Sequence, residues 1–152
     1  MYKTNNFLDS ISYNMEKYDI MFSLKTISKM KDFSMYRLLI IEDDKGIADA
    51  ITTQAQMWNL EVRYAENFRN IMEDFAEFNP HIVLLDIALP FFNGYYWCGE
   101  IRKVSKIPII FISSASDNMN MVMAMNMGAD DFISKPFDQS VLMAKLQAML
   151  RR

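Results

Sequence analysis

Apolar and polar positions alternate in blocks along most of this chain. Leu38-Leu39-Ile40-Ile41, Ile82-Val83-Leu84-Leu85 and Ile107-Pro108-Ile109-Ile110-Phe111-Ile112 are apolar runs too short for helices. Runs of that kind read as strands buried on both faces, as inside a parallel sheet. Leu60 to Ala65 alternates like a short strand, and Asp131-Phe132-Ile133-Ser134 is a short fifth. Ile47, Ile51, Ala55 and Trp58 give a first helix its apolar stripe. Asn67 predicts the cap of a second helix, Phe68 to Phe78, which Asn79-Pro80 ends. A third is predicted over about Tyr95 to Val104 and a fourth over about Asn118 to Met127, closed by Gly128. A fifth runs from an Asp138 cap to about Leu150. Five strands alternating with five helices specify an α/β fold, a doubly wound parallel sheet whose right-handed crossovers cover both faces.

Residues 1–34 do not share this pattern and are assigned as an N-terminal extension of unknown role, with one domain over 35–152. Phe7, Ile11, Met15, Tyr18 and Phe22 recur at helical spacing, while Asn5, Asn6, Ser10, Ser12 and Asn14 weaken that helix. The segment lacks the basic start, apolar centre and small-residue cleavage site of a signal peptide. Met35 stands just before the ordered pattern, so an extension, a cloning remnant and a start codon set too far upstream all stay open.

With 152 residues, half of them apolar, the chain suits one ordinary domain with a real core. A net charge of −3 argues against a nucleic-acid surface, which needs a clustered positive footprint. A lone cysteine, Cys98, makes no internal disulfide and reads as a small buried hydrophobe. No apolar run is long enough to span a bilayer, and a cytoplasmic protein is expected. His81, the one histidine, has no neighbour in sequence to orient it and reads as structural or exposed.

The chemistry gathers at strand ends. In a doubly wound sheet the carboxyl ends of strands one, three, four and five meet in one crevice. They carry Glu42 and Asp43, Asp86, Ser113 and Lys135. Carboxylates that close repel by up to about 4 kcal/mol per pair at an effective dielectric near 20, so they call for a cation. Oxygen ligands of this kind suit Mg²⁺, which prefers sites shared with phosphate. Lys135 and Ser113 add a positive charge and a hydroxyl, which a phosphoryl group on Asp86 would use. Against this stands the plainer reading that these are unrelated polar strand ends, and that Asp86 merely caps the following helix.

Leu39-Ile40-Ile41-Glu42-Asp43-Asp44, Asp86-Ile87-Ala88-Leu89-Pro90 with Asn93-Gly94, and Gly128-Ala129-Asp130-Asp131-Phe132-Ile133-Ser134-Lys135-Pro136-Phe137 resemble the receiver domains of bacterial two-component response regulators. The resemblance covers about residues 36–151 and implies the flavodoxin-like, CheY-like fold. It implies that Asp86 accepts a phosphoryl group from a sensor histidine kinase. Asp43, Asp86 and the backbone carbonyl of Ala88 would bind Mg²⁺, with Glu42 acting through water. Lys135 would pair with the phosphoryl oxygens, Ser113 would turn inward to them, and Phe132 would swing into the space vacated. Two departures stand out: Phe132 where many members have Tyr, and Ser114 where Ala is usual.

Met119-Asn120-Met121-Val122-Met123-Ala124-Met125-Asn126-Met127 alternates like a strand where topology asks for a helix. At helical spacing Met119, Met123 and Met127 share one side and Met121 and Met125 lie nearly opposite, so one group is expected in the core and the other outside. The resemblance places Met121, Val122 and Met125 outward, on the homodimerisation face formed by helix 4, strand 5 and helix 5 in OmpR-like winged-helix regulators. Asp131 and Lys145 would form an interchain ion pair there, with Met121 and Val141 replacing others. Phe92-Asn93-Gly94-Tyr95-Tyr96-Trp97-Cys98 and Leu146-Gln147-Ala148-Met149-Leu150-Arg151-Arg152 further resemble OmpR-like regulators of envelope or antimicrobial-peptide stress. DNA contact would come only through a C-terminal domain not present in this chain, giving a transcriptional output and no membrane contact. Two alternatives remain. One is a stand-alone receiver that signals by binding a protein; the other is an aspartate-nucleophile phosphatase of the haloacid dehalogenase type. The second expects another acid two residues after the nucleophile, where Ala88 stands.

Overall fold

A computed structural model describes residues 36–114 and 118–152, without the side chains of Asn118 and Met119. The leading segment and its helical spacing lie outside the described residues. Five parallel strands, β1 (Arg37–Ile41), β2 (Glu61–Tyr64), β3 (Ile82–Asp86), β4 (Ile109–Ser113) and β5 (Asp131–Ser134), stand in the order β2-β1-β3-β4-β5. They alternate with α1 (Lys45–Met57), α2 (Ile71–Phe78), α3 (Gly94–Val104), α4 (Asn118–Asn126) and α5 (Gln139–Leu150). The expected doubly wound sheet is what the chain adopts.

Between their ends its central strands are apolar on both faces, because both faces are covered. Leu39, Ile41, Val83, Leu85, Ile109 and Phe111 point to one side, where they meet Ile71 and Phe75 of α2 and Trp97, Cys98 and Ile101 of α3. Leu38, Ile40, Ile82, Leu84, Ile110 and Ile112 point to the other, against Ala48, Ile51 and Ala55 of α1 and Leu142, Met143 and Leu146 of α5. Each fully buried aliphatic side chain contributes about 2 kcal/mol of burial free energy.

Local chemistry sets the helix ends. Asp44 accepts from the Ile47 N–H at 3.2 Å, Asn93 from Tyr96 at 3.0 Å and Asp138 from Ser140 at 2.8 Å. Asn79, in the left-handed region at φ 49°, closes α2 as expected, and Gly128 at φ 102° follows α4. Two helix boundaries differ from the sequence reading. Asn67 does not cap α2: its Oδ1 accepts from Arg69 N at 3.1 Å in a tight turn, and α2 starts one turn later, after Asn70. Trp58 lies past the last turn of α1, where Asn59 at φ 63° redirects the chain, and is exposed rather than part of the stripe.

Parallel register brings the carboxyl ends of the strands to one edge. Asp86 is level with Ile112 on β4, and Ser113 with Ser134 on β5. Glu42 directly follows β1 and Lys135 directly follows β5.

Candidate functional site

Asp86 ends β3 almost fully buried, at 3% exposure. It does not cap α3, since Asn93 does. Its Oδ1 instead faces back along its own loop, 3.4 Å from the Ala88 N–H. The loop is closed by the Gly94 N–H, which donates to the Ile87 carbonyl at 2.9 Å, and Phe91 takes a left-handed conformation at φ 69° within it. Lys135 reaches Asp86 Oδ2 at 3.2 Å and Glu42 Oε2 at 2.6 Å, so one ammonium is shared between two buried carboxylates. The other Glu42 oxygen accepts from the Asp44 N–H at 3.0 Å.

Glu42, Asp43 and Asp86 each offer a carboxylate oxygen, and these lie within 4.8 Å of one another. Burial pushes the Glu42 carboxyl above its ordinary range, and the nearby Asp86 charge adds to this against the lowering by Lys135 and Asp44. Burial alone would lower the Lys135 ammonium, but its bonds to Glu42 and Asp86 outweigh that and hold it above its usual value. Three carboxylates facing one ammonium leave excess negative charge in a confined space, and their hard oxygens could hold a metal ion. Exposed Asp43 faces the open side, and Ala88 is exposed as well.

Ser113 is buried at the end of β4, and its carbonyl accepts from the Lys135 N–H at 2.7 Å. Phe132 is buried on β5 opposite Phe111. The expected site residues Glu42, Asp43, Asp86 and Lys135 thus meet at one point, with Ser113 and Phe132 on the two strands beyond. Met121, Val122, Met125 and Val141 are exposed on α4 and α5. The division of the methionines fails: Met123 and Met127 are exposed too, because Ala124 takes the inward position. Asp131 and Lys145, expected to pair between chains, pair within this one at 2.8 Å, since β5 and α5 lie side by side. His81 also has a partner: its Nδ1 accepts from the Arg37 N–H at 2.9 Å. Gly94 was legible as a turn residue, but its packing against the Asp86 main chain left no trace in local sequence.

A family model for the response regulator receiver domain matches residues 38–147. The chain belongs to that family. Phosphorylation by a kinase and Mg²⁺ binding are general for such receivers. The receiver is 51% identical over 118 residues to the transcriptional regulatory protein YvcP of Bacillus subtilis (strain 168), covering 78% of this chain and 50% of YvcP. It is 44% identical over 116 residues to the response regulator protein GraR of Staphylococcus aureus (strain Newman), covering 76% and 52%. Among solved structures it resembles the N-terminal domain of the nisin resistance regulator NsrR, a lantibiotic response regulator, with TM-score 0.72 and 49% identity over 77% of this chain and 99% of that one. It also resembles the BeF3-activated receiver domain of Klebsiella pneumoniae RstA, with TM-score 0.73 and 30% identity, covering 76% and 99%. The receiver spans about half the length of the curated relatives it matches. These relatives are named as regulators. No helix among the described residues is long and apolar enough to cross a membrane.

Proposed function

We propose that this receiver is phosphorylated on Asp86 by a sensor histidine kinase in a Mg²⁺-dependent reaction, and that the acyl phosphate controls homodimerisation and so a transcriptional output. The observation that carries this is the meeting of buried Asp86 with Lys135 and the acidic pair Glu42 and Asp43. Oxygen donors around one point, offset by a single ammonium, fit a hard divalent ion. Asp43, Asp86 and the Ala88 carbonyl would hold it, with Glu42 acting through water. When bound, Mg²⁺ would neutralise charge on the transferring oxygens.

A carboxylate oxygen of Asp86 attacks the phosphorus of the kinase phosphohistidine. An O–P bond forms as the P–N bond breaks, and the imidazole leaves with the bonding pair. Lys135 turns from Glu42 towards the new phosphoryl oxygens, and the Ser113 hydroxyl donates to them. Phe132 packs into the space that Ser113 leaves, shifting the population between two arrangements. For the kinase, an apolar hollow of about 420 Å³ beside Lys135, lined by Ile47, Ala50, Pro136 and Phe137, supports docking of a helical partner.

The output face is α4, β5 and α5. Exposed Met121, Val122, Met125 and Val141 support a repacking interface, and the Asp131–Lys145 pair is available to exchange partners across it. The transcriptional name of YvcP supports an output through a DNA-binding domain of the kind that its additional length would hold. Likeness to the nisin resistance regulator supports envelope or antimicrobial-peptide stress as the stimulus class.

The test is intact mass after incubation with Mg²⁺ and acetyl phosphate. One phosphoryl adduct is expected, absent from Asp86→Asn and from a metal-chelated sample. No adduct on wild type, under conditions that modify another receiver, would overturn the proposal.

A further inference from the structure

Among its neighbours α4 is seated differently. α1, α3 and α5 each bury several apolar side chains, and α2 buries Ile71 and Phe75. In α4, Ala124 is the buried residue among the described side chains, while Met121, Val122, Met123 and Met125 are exposed. Besides Ala124 in the core and its packing on β5, the helix meets a stripe on α3, Tyr95, Cys98, Gly99 and Arg102, spaced to fall on one face.

Each member of that stripe meets α4 or the turn that ends it. The Tyr95 hydroxyl donates to the Asn120 carbonyl at 3.3 Å, and the Cys98 thiol to the Met127 carbonyl at 3.3 Å. The Arg102 Nε donates to the Gly128 carbonyl at 2.9 Å. A Cβ on Gly128, which sits at φ 102°, would stand only 3.2 Å from Arg102 Nε, so that glycine permits close approach, whereas one on Gly99 would rest in ordinary contact with Met127 Cε at 4.0 Å. Arg102 is itself fixed by the Ile107 carbonyl at 2.7 Å and Asp130 at 2.9 Å. At its other end α3 begins at Gly94, whose N–H closes the Asp86 loop on Ile87.

We propose that this stripe is a latch. Tyr95, Cys98 and Arg102 are positioning residues that hold α4 and the turn after it by main-chain carbonyls, and α3 carries a displacement of the Asp86 loop to α4, beside the route through Ser113 and Phe132. Hydrogen bonds to carbonyls can be exchanged for water when a helix shifts, whereas buried apolar side chains have no such substitute. α4 is therefore the helix that apolar burial anchors least among the described residues. The coupling to Asp86 rests on the phosphoacceptor and dimer readings above; the seating of α4 does not.

Tyr95→Phe and Arg102→Gln test this by hydrogen exchange on the unmodified protein. In at least one variant the α4 amides should exchange about tenfold faster, with β1 and β3 unchanged. With Mg²⁺ and beryllofluoride, which stands in for the phosphoryl group on Asp86, the ratio of free to loaded dimer Kd should shrink by about tenfold. Tyr95→Phe removes one hydroxyl and keeps the test open should Arg102→Gln fail to fold. Exchange in α4 within about twofold of wild type in both variants, an equal rise in β1 and β3, or an unchanged Kd ratio overturns the latch. A wild type that neither loads nor dimerises counts against the proposed function, and the exchange comparison still decides how α4 is held.

Discussion

A Cβ on Gly94 would stand 2.9 Å from the carbonyl carbon of Asp86 and 3.0 Å from Ile87 Cα. Both are main chain and cannot swing aside, so Gly94→Ala must push the Asp86 loop off its place. The expected outcome is a loss of about 1–3 kcal/mol in chemical denaturation, together with slower phosphorylation of Asp86 by acetyl phosphate. Wild-type stability would show that the loop yields freely. His81 presents a different residue-scale consequence. Burial, and then the nearby Arg37 charge, lower its pKa in the folded chain. The unfolded chain therefore takes up a proton near pH 6.5 where the folded chain does not, so stability is full above that pH and falls as pH drops through it. His81→Asn, which keeps an acceptor for the Arg37 N–H, should flatten that part of a melting-temperature profile. A profile unchanged by the substitution would place the titration elsewhere.

At the scale of elements, the sequence was most readable where burial is one-sided or complete. The all-apolar runs of β1, β3 and β4 marked strands because helices cover both faces, and β5 was read with the bounds it has. Strand ends then placed Asp86, Glu42, Asp43 and Lys135 at one edge without any knowledge of side-chain positions. That Lys135 lies closer to Glu42 than to Asp86 was not legible, because it depends on how far one long side chain reaches across the edge. The start of α2 was not legible because Asn67 and Asn70 are both residues suited to open a helix, and only the turn made by Asn67 separates them. Periodicity failed in α4 for a stronger reason. Methionine at alternate positions defines no single helical face, and the inward positions belong to Asn120, Ala124 and Gly128, which carry little hydrophobic signal.

For the whole molecule, the proposed function makes the exposed methionines decide whether modification of one residue becomes an assembly. Met121→Glu with Met125→Glu should weaken the beryllofluoride-dependent dimer at least about tenfold in analytical ultracentrifugation while leaving phosphorylation of Asp86 unchanged. A dimer of wild-type strength would move the interface to another face. The order β2-β1-β3-β4-β5 bears on the same question from the side of the backbone. It leaves β2 and β5 at the margins of the sheet, and each is four residues long. Glu61 and Arg63 stand on one and Asp131 on the other. Short, charged margins discourage the addition of foreign strands, the route by which sheets grow into aggregates. A chain with so much apolar surface on one helix can thus remain able to separate again if, as proposed, its copies meet through side chains that repack and not through a growing ladder of main-chain bonds.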